Sequence, residues 1–253
     1  MAPFGGVVYL EETGISTWKD LEGKTIGQYP WGSTGPVAKA AMRKKGVDLS
    51  TISFQNVQPG SARKLQLKGE LDAMIRYVPQ ELAWMDLHGY AADAFSSVEV
   101  LNHMGVGMIV RDDFLDKNPD HVSNLVAGWL DGIKMWANQT EKVTQKHKRM
   151  VKSESSVKWN GEYYERLQGP IFAAYTPEKS LGTSKGKGWI ELERMKTTLE
   201  VFSDAGLLDS KLDAESIFTN RFIEEHRDLA VGTAESLYTK LESYDVGPNY
   251  LYK

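Results

Sequence analysis

Residues 16–36 of the chain read Ser-Thr-Trp-Lys-Asp-Leu-Glu-Gly-Lys-Thr-Ile-Gly-Gln-Tyr-Pro-Trp-Gly-Ser-Thr-Gly-Pro. This order predicts a helical turn capped by Ser16, a short buried strand over residues 24–29, and a glycine-bounded loop that opens a new helix. Small ligands often bind where a strand of an open α/β sheet leads into a helix, because unpaired N–H groups point outward there. The loop therefore supplies candidate ligand contacts, although such residues are also ordinary loop chemistry: Trp31, Gly32, Ser33 and Thr34.

The same alternation continues along the chain. It predicts a helix over 37–45 that stops at Gly46, a strand over 51–57, a helix from Pro59 to about residue 67, a strand over 71–76, and another helix beginning at Pro79. Strands that alternate with helices of this length are typical of an α/β fold with a mainly parallel sheet. We therefore expect residues 25–103 to form one continuous α/β lobe.

Polar side chains follow each predicted strand of this lobe. Asn56 and Gln58 come after the second strand, and Arg76 and Tyr77 come at the end of the third. Because the carboxyl ends of parallel strands meet at one edge of a sheet, these residues are further candidate ligand contacts. Arg76 has two readings: a bidentate clamp for a carboxylate, sulfonate or phosphate, or a salt bridge to Glu81. Aromatic residues nearby could stack on a flat ring.

The second half of the chain is mostly helical in pattern. The pattern predicts a buried strand over 105–110, followed by an amphipathic helix over 119–137 whose Trp129 and Trp136 we expect in the core. A basic helix over 141–150 is read as a solvated face. A mobile loop over 180–187 and a tyrosine-rich tail over 233–253 follow. The tail is read either as a packing strap or as an interface.

The amino-acid composition excludes several classes of function for this chain. The 253 residues include no cysteine and carry a net charge of −4, so disulfides, thiolate catalysis and cysteine metal sites are excluded, and non-specific nucleic-acid binding is disfavoured. No apolar run is long enough to span a bilayer. The first residues, Met-Ala-Pro-Phe-Gly-Gly, do not show the basic and apolar regions of a signal peptide, so we expect none in this chain.

Catalytic and metal-binding patterns are weak in this sequence. Five histidines lie far apart without metal-ligand spacing, there is no Gly-x-Ser-x-Gly elbow, and neighbouring carboxylates point apart on either a strand or a helix. Phosphate-cradling glycine motifs are also missing. We therefore expect no catalytic residues, no metal site and no cofactor, and read the chain as a binding protein rather than an enzyme.

Several segments together resemble the solute-binding proteins of ABC importers, in the branch that handles thiamine pyrimidine precursors, sulfonates, taurine and nitrate. They are Gly14-Ile-Ser-Thr-Trp-Lys-Asp-Leu-Glu-Gly-Lys-Thr-Ile-Gly27, Gly32-Ser-Thr34, Lys44-Lys-Gly-Val-Asp-Leu-Ser50, Lys68-Gly-Glu-Leu-Asp-Ala-Met-Ile-Arg-Tyr-Val-Pro79 and Asn118-Pro-Asp-His-Val-Ser-Asn-Leu-Val-Ala-Gly-Trp129. The resemblance covers roughly residues 5–225. The chain departs from it at Arg76-Tyr-Val-Pro79, where many relatives carry an aromatic and then an acidic residue.

The resemblance implies a type II periplasmic-binding-protein-like fold of two lobes, with a small polar or anionic organic solute bound in the cleft between them. Its lobe 2 would be residues 25–103, and residues 1–24 and 104–253 would be a remnant of lobe 1 that lacks its N-terminal part. The resemblance further implies an ABC permease as partner and a periplasmic or extracytoplasmic location. A truncated chain, a missing partner chain or a lobe completed by homo-oligomerisation would each explain the missing part, and we favour the first.

Two other function classes stay open at this stage. One is an enzyme on the same fold, of the pyrimidine-forming or menaquinone-pathway type, although the cysteine-rich motif of the fungal pyrimidine synthase has no counterpart here. The other is a sensor or structural module that has kept the lobe without transport.

Overall fold

The computed structural model describes residues 5–154, 160–176, 182–208 and 212–244. These residues fall into two compact units. The sheet unit comprises residues 5–104, 193–208 and 212–214, and the helical unit comprises residues 105–154, 160–176, 182–192 and 215–244.

Five strands form one sheet in the order β3-β2-β4-β1-β5. They are β1 (Gly5–Leu10), β2 (Thr25–Gln28), β3 (Ser53–Asn56), β4 (Ala73–Tyr77) and β5 (Ala92–Ser96). β2 pairs parallel with β3 and β4, whereas β1 pairs antiparallel with both β4 and β5. Four strands therefore run in one direction, and β1 runs against them between β4 and β5.

Two features of this sheet differ from the sequence prediction. Residues 1–24 were assigned to the helical lobe, yet residues 5–10 form a buried strand between β4 and β5. β5 was not predicted, because its sequence Ala-Asp-Ala-Phe-Ser lacks the β-branched residues that signal a strand. The partners of both strands are distant in sequence, so a local pattern does not reveal the place of either strand in the sheet.

Helices cover both faces of the sheet. They are α1 (Thr34–Lys44), α2 (Pro59–Leu67) and α3 (Val78–Leu87), joined by α9 (Leu192–Asp204) from later in the chain. α1 packs on Val7, Ile26 and Ile75, whereas α2 and α3 pack on Val8 and Met74 of the opposite face. We call these the α1 face and the α2/α3 face. α2 starts at Pro59 as predicted, since proline fits the first helical turn, where its missing N–H costs nothing.

The turn before β2 is organised by an aspartate. The Asp20 carboxylate accepts hydrogen bonds from the backbone N–H groups of Ser16 at 2.9 Å and Thr17 at 2.7 Å. These bonds lower the pKa of Asp20 to about 2. The helical turn Trp18–Leu21 is consequently capped by Thr17 and not by Ser16 as predicted, because Asp20 forms a capping box with Thr17.

The helical unit contains seven helices among the described residues. They are α4 (Asp112–Lys117), α5 (Pro119–Asn138), α6 (Thr140–Glu154), α7 (Gly161–Tyr175), α8 (Gly182–Lys185), α10 (Arg221–Glu225) and α11 (Arg227–Glu242). Val126, Leu130 and Ile133 of α5 are buried. Trp129 and Trp136 are partly buried in the same core, and Trp136 stacks on Phe172 with ring centroids 4.4 Å apart.

The predicted strand over residues 105–110 is wrong. This segment contains no strand, and Val106, Met108 and Ile109 are exposed, Ile109 almost completely. Its apolar, β-branched composition favours an extended chain, but a strand also needs a neighbour for its N–H and C=O groups. No described residue pairs with it.

The glycine- and lysine-rich segment 180–187 was predicted to be a mobile loop. Residues 182–185 form α8, residues 180 and 181 lie outside the described residues, and Lys187 is buried with only 3% of its surface exposed. Gly186 and Gly188 have φ of 78° and 92°, a conformation that favours glycine. A side chain on either glycine would also collide, at 2.9 Å from Ala230 or 2.7 Å from Ile223.

Aromatic rings surround the side chain of Lys187. Its Nζ lies 4.2 Å from the ring centroid of Tyr175 and 5.9 Å from that of Trp129. Among the described residues, Lys187 forms no ion pair, and its ammonium group donates no hydrogen bond. Burial lowers the pKa of Lys187 from 10.5 to about 7.

The tyrosine-rich tail is partly described. Residues 233–242 continue α11, and the Tyr244 hydroxyl donates a 2.6 Å hydrogen bond to Oε1 of Gln168 while its ring packs on Phe172. This part of the tail therefore packs within its own unit. Tyr250 and Tyr252, the last two tyrosines of the predicted tail, lie outside the described residues.

Candidate functional site

The strands that run together end at one edge of the sheet, and the antiparallel β1 begins there. We call this the carboxyl edge. The register places Gln28 beside Asn56, Gly5 beside Tyr77, and Gly6 beside Ser96. Of the predicted ligand contacts, Asn56 and Tyr77 are therefore at this edge.

The loop before α1 lies at the carboxyl edge. Gly32 has φ of 95°, and the chain enters α1 through Ser33. The Ser33 hydroxyl makes no capping hydrogen bond, and Trp31 is 57% exposed. The first backbone N–H groups of a helix have no partner within it, so those of Thr34 and Gly35 are available at this edge.

The side chains next to this loop belong to the neighbouring strands β2 and β3. The Gln28 amide Nε2 donates to Oδ1 of Asn56 at 3.1 Å. A Cβ on Gly35 would lie 3.7 Å from Gln28 Oε1, and a Cβ on Gly5 would lie 3.4 Å from Cγ2 of Thr34. The first turn of α1 therefore rests directly on the ends of β1 and β2.

The electrostatics of α1 favour a negative group at its start. The helix carries Lys39, Arg43 and Lys44 and no carboxylate, and the dipole of a helix is positive at its N-terminus. Lys39 lies over the ring of Phe54, at 4.1 Å from the centroid. Burial, and then the neighbouring Arg43, lower the pKa of Lys39.

Strand alternation separates two residues that are adjacent in sequence. Ile75 belongs to the α1 face, so Tyr77 continues that face, whereas Arg76 follows Met74 on the α2/α3 face. Tyr77 is half-exposed and lies beside the start of β1. The predicted cluster of ligand contacts is thus divided: Arg76 is on the opposite face of the sheet from Tyr77.

Arg76 forms the salt bridge that was one of its two readings. Its Nε and Nη2 donate to Glu81 Oε2 at 3.0 and 2.7 Å. Arg63 donates to the other carboxylate oxygen at 2.5 Å and stacks over Trp84, at 3.9 Å from the ring centroid. Two arginines share one buried carboxylate, and Nη1 of Arg76 is buried without a partner among the described residues.

Gln58 lies where the chain enters α2. Its backbone carbonyl accepts hydrogen bonds from the N–H groups of Ser61 at 3.0 Å and Ala62 at 3.1 Å. Its side chain is exposed and makes no capping bond. Gln58 is therefore at the carboxyl edge, next to α2 rather than α1.

Sequence reasoning missed several residues at this edge. Gln28 was counted only as a strand residue, although strand alternation from the buried Ile26 would have placed it on the α1 face. Gly5, Ser97 and His103 are brought there by strand pairing and by a buried hydrogen-bond network. No local sequence signal identifies those three.

The described residues contain neither a candidate metal site nor a candidate membrane-spanning helix. The described residues contain no group of three His, Asp or Glu side chains arranged to hold a metal ion. Among the same residues, no helix combines the length and the apolar character that crossing a bilayer requires.

The fold is shared with solved solute-binding proteins. The sulphonate-binding protein SsuA from Escherichia coli superposes with a TM-score of 0.60 at 16% identity, over 88% of this chain and 71% of that one. SsuA from Methylobacillus flagellatus gives 0.58 at 16% identity, over 90% and 69%. SsuA from Xanthomonas axonopodis pv. citri, bound to MOPS, gives 0.55 at 13% identity, over 85% and 70%. The architecture is the α/β periplasmic-binding-protein-like fold that the sequence predicted.

Sequence comparison gives the family. No curated protein matches the sequence at a significant level. The family model described as NMT1/THI5 like matches residues 1–142, which is more than half of the chain. The chain therefore belongs to the NMT1/THI5-like family.

Proposed function

We propose that this chain is the solute-binding component of an ABC importer and that it binds a small polar or anionic organic solute at the carboxyl edge, on the α1 face. The observation that carries the proposal is the uncapped start of α1, where available N–H groups and a free serine hydroxyl meet the ends of two strands. The likeness of fold to sulfonate-binding proteins supports it.

The proposal assigns roles to the side chains of this edge. Ser33, Thr34 and the backbone at Gly32 hold the anionic or polar end of the solute, because a helix N-terminus stabilises negative charge. Asn56 adds an amide, and Tyr77 and Trp31 supply exposed rings that can stack on a flat solute. Gln58 lies at the rim, beside α2.

Arg76 is left out of the solute contacts. Its two donors to Glu81 are engaged, and it is on the other face of the sheet. We propose that the arginine pair and Glu81 fix the start of α3 and so hold the end of β4 in place.

The partner and location follow from the same proposal. A receptor of an importer delivers its solute to a permease in the membrane, so we propose that the chain acts outside the cytoplasm and docks on an ABC permease. The comparison structures that support this step are described as periplasmic proteins.

A melting experiment tests the function. Methanesulfonate, taurine, nitrate and an aminomethyl pyrimidine are each added at 10 mM while thermal unfolding is followed by tryptophan fluorescence. A solute present at 100 times its Kd stabilises the folded state by about 2.7 kcal/mol, which for a chain of this size raises Tm by roughly 5–10 °C. If no solute of the panel raises Tm, the binding proposal is wrong.

Two variants and a control then locate the site. Ser33→Ala and Asn56→Ala each remove a side chain proposed to contact the solute, and we expect the affinity to fall about tenfold for each lost hydrogen bond. Ser33→Ala should leave stability almost unchanged, since its hydroxyl makes no cap bond. Ser53→Ala, an exposed serine at the start of β3, is the control. Equal affinity in all three variants would place the solute elsewhere.

A further inference from the structure

A buried serine and a buried histidine lie beside the start of β1. The Ser97 hydroxyl donates to the backbone carbonyl of Gly5 at 2.7 Å and lies 3.0 Å from Nε2 of His103. The other ring nitrogen, Nδ1 of His103, lies 2.8 Å from the carbonyl of Met104. Ser97 is completely buried and His103 is 97% buried.

The hydrogen bonds continue into α9. The backbone N–H of Met104 donates to the hydroxyl of Thr198 at 2.8 Å, and that hydroxyl donates to the carbonyl of Arg194 at 2.7 Å. We call this connected set the clasp: Gly5, Ser97, His103, Met104, Thr198 and Arg194.

The clasp joins separate passages of the chain. Among the described residues, the chain passes between the sheet unit and the helical unit at residues 104–105 and 192–193, among other points. Met104 and Arg194 each lie within two residues of one of these passages, and Gly5 is the first residue of β1. One buried hydrogen-bond network thus fixes the sheet-unit ends of two connections and the start of β1.

The hydrogen bonds of the clasp depend on the protonation of His103. Because the carbonyl of Met104 only accepts, Nδ1 carries a hydrogen, and Nε2 of the neutral ring must then accept. The single hydrogen of the Ser97 hydroxyl then faces two acceptors, Nε2 and the carbonyl of Gly5. In the protonated ring Nε2 donates to Ser97, and the serine hydrogen belongs to Gly5 alone.

Burial acts against that protonated state. Removal from water, and the positive charge of Arg194 on α9, lower the pKa of His103, although the bond to Met104 raises it in part. The ring is therefore neutral near pH 7 and becomes charged only in acid.

We propose that Ser97 and His103 are positioning residues that fasten these two connections and the start of β1 at the carboxyl edge, and that this fastening changes when His103 binds a proton. Gly5 lies against the first turn of α1, since a Cβ on it would be 3.4 Å from Thr34. A change in the position of Gly5 therefore shifts the first turn of α1, to which we assign the solute. This last step rests on the proposed function, whereas the clasp itself does not.

Nitrogen-15 NMR of the histidine rings tests the clasp without any solute. His103 is assigned by the signals that vanish in His103→Gln, and its ring is followed from pH 8 to pH 5. We expect the Nδ1–H tautomer at pH 7.5 and a titration midpoint below that of a free histidine. In Ser97→Ala the midpoint should fall further, because the protonated Nε2 loses its acceptor. An unchanged midpoint in Ser97→Ala, or an Nε2–H tautomer at pH 7.5, would overturn the proposal.

The pH dependence of unfolding gives the second measurement. Since the folded pKa is below the unfolded value of about 6.5, the unfolded chain binds the extra proton in mild acid, and wild-type stability falls there. Between pH 6.5 and 5.5 the folded-to-unfolded ratio of wild type should fall up to about fivefold more than that of His103→Gln, whose amide can bond Ser97 but does not titrate.

A matched control accompanies this profile. His121 is exposed, and His121→Gln should keep the wild-type pH profile. If His103→Gln and wild type lose stability in parallel, the clasp is not proton-sensitive. If His103→Gln does not fold, His103 is assigned as the ring whose signals remain when each of the other four histidines is replaced in turn, and the titration of wild type and Ser97→Ala decides. Neither measurement needs a solute, so the clasp and the proposed function fail separately.

Discussion

Lys187→Met should change how the stability of the protein depends on pH. Lys187 is buried among aromatic rings without an ion pair among the described residues, and its pKa is lowered to about 7. In the unfolded chain the same ammonium has a pKa near 10.4. Between these two values only the unfolded state holds the proton, so the free energy of unfolding rises with pH.

The size of the effect follows from the pKa difference. From pH 7.5 to pH 9.5 the unfolded chain stays almost fully protonated at this lysine while the folded chain loses its remaining proton. At about 1.4 kcal/mol per proton and pH unit, the free energy of unfolding of wild type should rise by about 2.5 kcal/mol relative to that of Lys187→Met. This pH range ends before Tyr175 ionises, because burial raises the pKa of the Tyr175 hydroxyl.

Urea unfolding followed by tryptophan fluorescence at pH 7.5, 8.5 and 9.5 measures this difference. Methionine keeps the apolar stem and removes the titrating group, so at pH 7.5 the variant should be more stable than wild type. Lys185→Met is the matched control, since Lys185 is exposed and only two residues away. Parallel profiles for wild type and Lys187→Met would refute the reasoning, because they would mean that Lys187 keeps its proton in the folded protein.

Three further predictions concern the sheet unit. Glu81→Leu leaves two arginines without their shared buried carboxylate and should cost about 3–5 kcal/mol in urea unfolding, whereas Glu70→Gln, in an exposed pair, should cost less than about 1 kcal/mol. The Asp20 carboxyl should titrate at about pH 2 by carbon-13 NMR, and a midpoint near 3.9 would mean that the two amides do not hold it. Gly6→Ala places a Cβ 2.3 Å from the carbonyl of Phe95 and should prevent cooperative folding, whereas Gly60→Ala, in open space, should fold normally.

Local sequence signals predicted the elements whose causes are local. Pro59 fixes the start of α2, and α1 ends before Gly46, whose φ of 76° favours glycine. The order of strand, loop and helix after Thr25 was also predicted, because turn residues punctuate it. These features need no knowledge of distant residues.

Features that depend on a partner were not predictable in the same way. Residues 105–110 have strand composition but no strand neighbour among the described residues, and Ala92–Ser96 has a neighbour but no strand composition. Lys187 resembled a loop residue because nothing nearby in sequence shows the rings that enclose it.

The candidate site shows the same division. The loop over 31–34 and the strand ends were predicted from their own residues, and they lie at one edge. The separation of Arg76 from Tyr77 depends on which face of β4 each one joins, and that was decided by the packing of Ile75 and Met74. The contribution of Ser97 depends on β1 lying next to β5.

The position of β1 also has a consequence for synthesis on the ribosome. Val7 is made well before its partners, which are Ile75 on one side and Phe95 on the other. Until β4 has emerged, both edges of the segment Gly-Gly-Val-Val-Tyr-Leu lack a partner, and one edge still lacks a partner until β5 has emerged. An apolar segment with unpaired edges is prone to aggregation while it is exposed. Closing such distant pairs is slow, so the rate at which the sheet forms is set by when the fifth strand arrives rather than by how fast the first one extends.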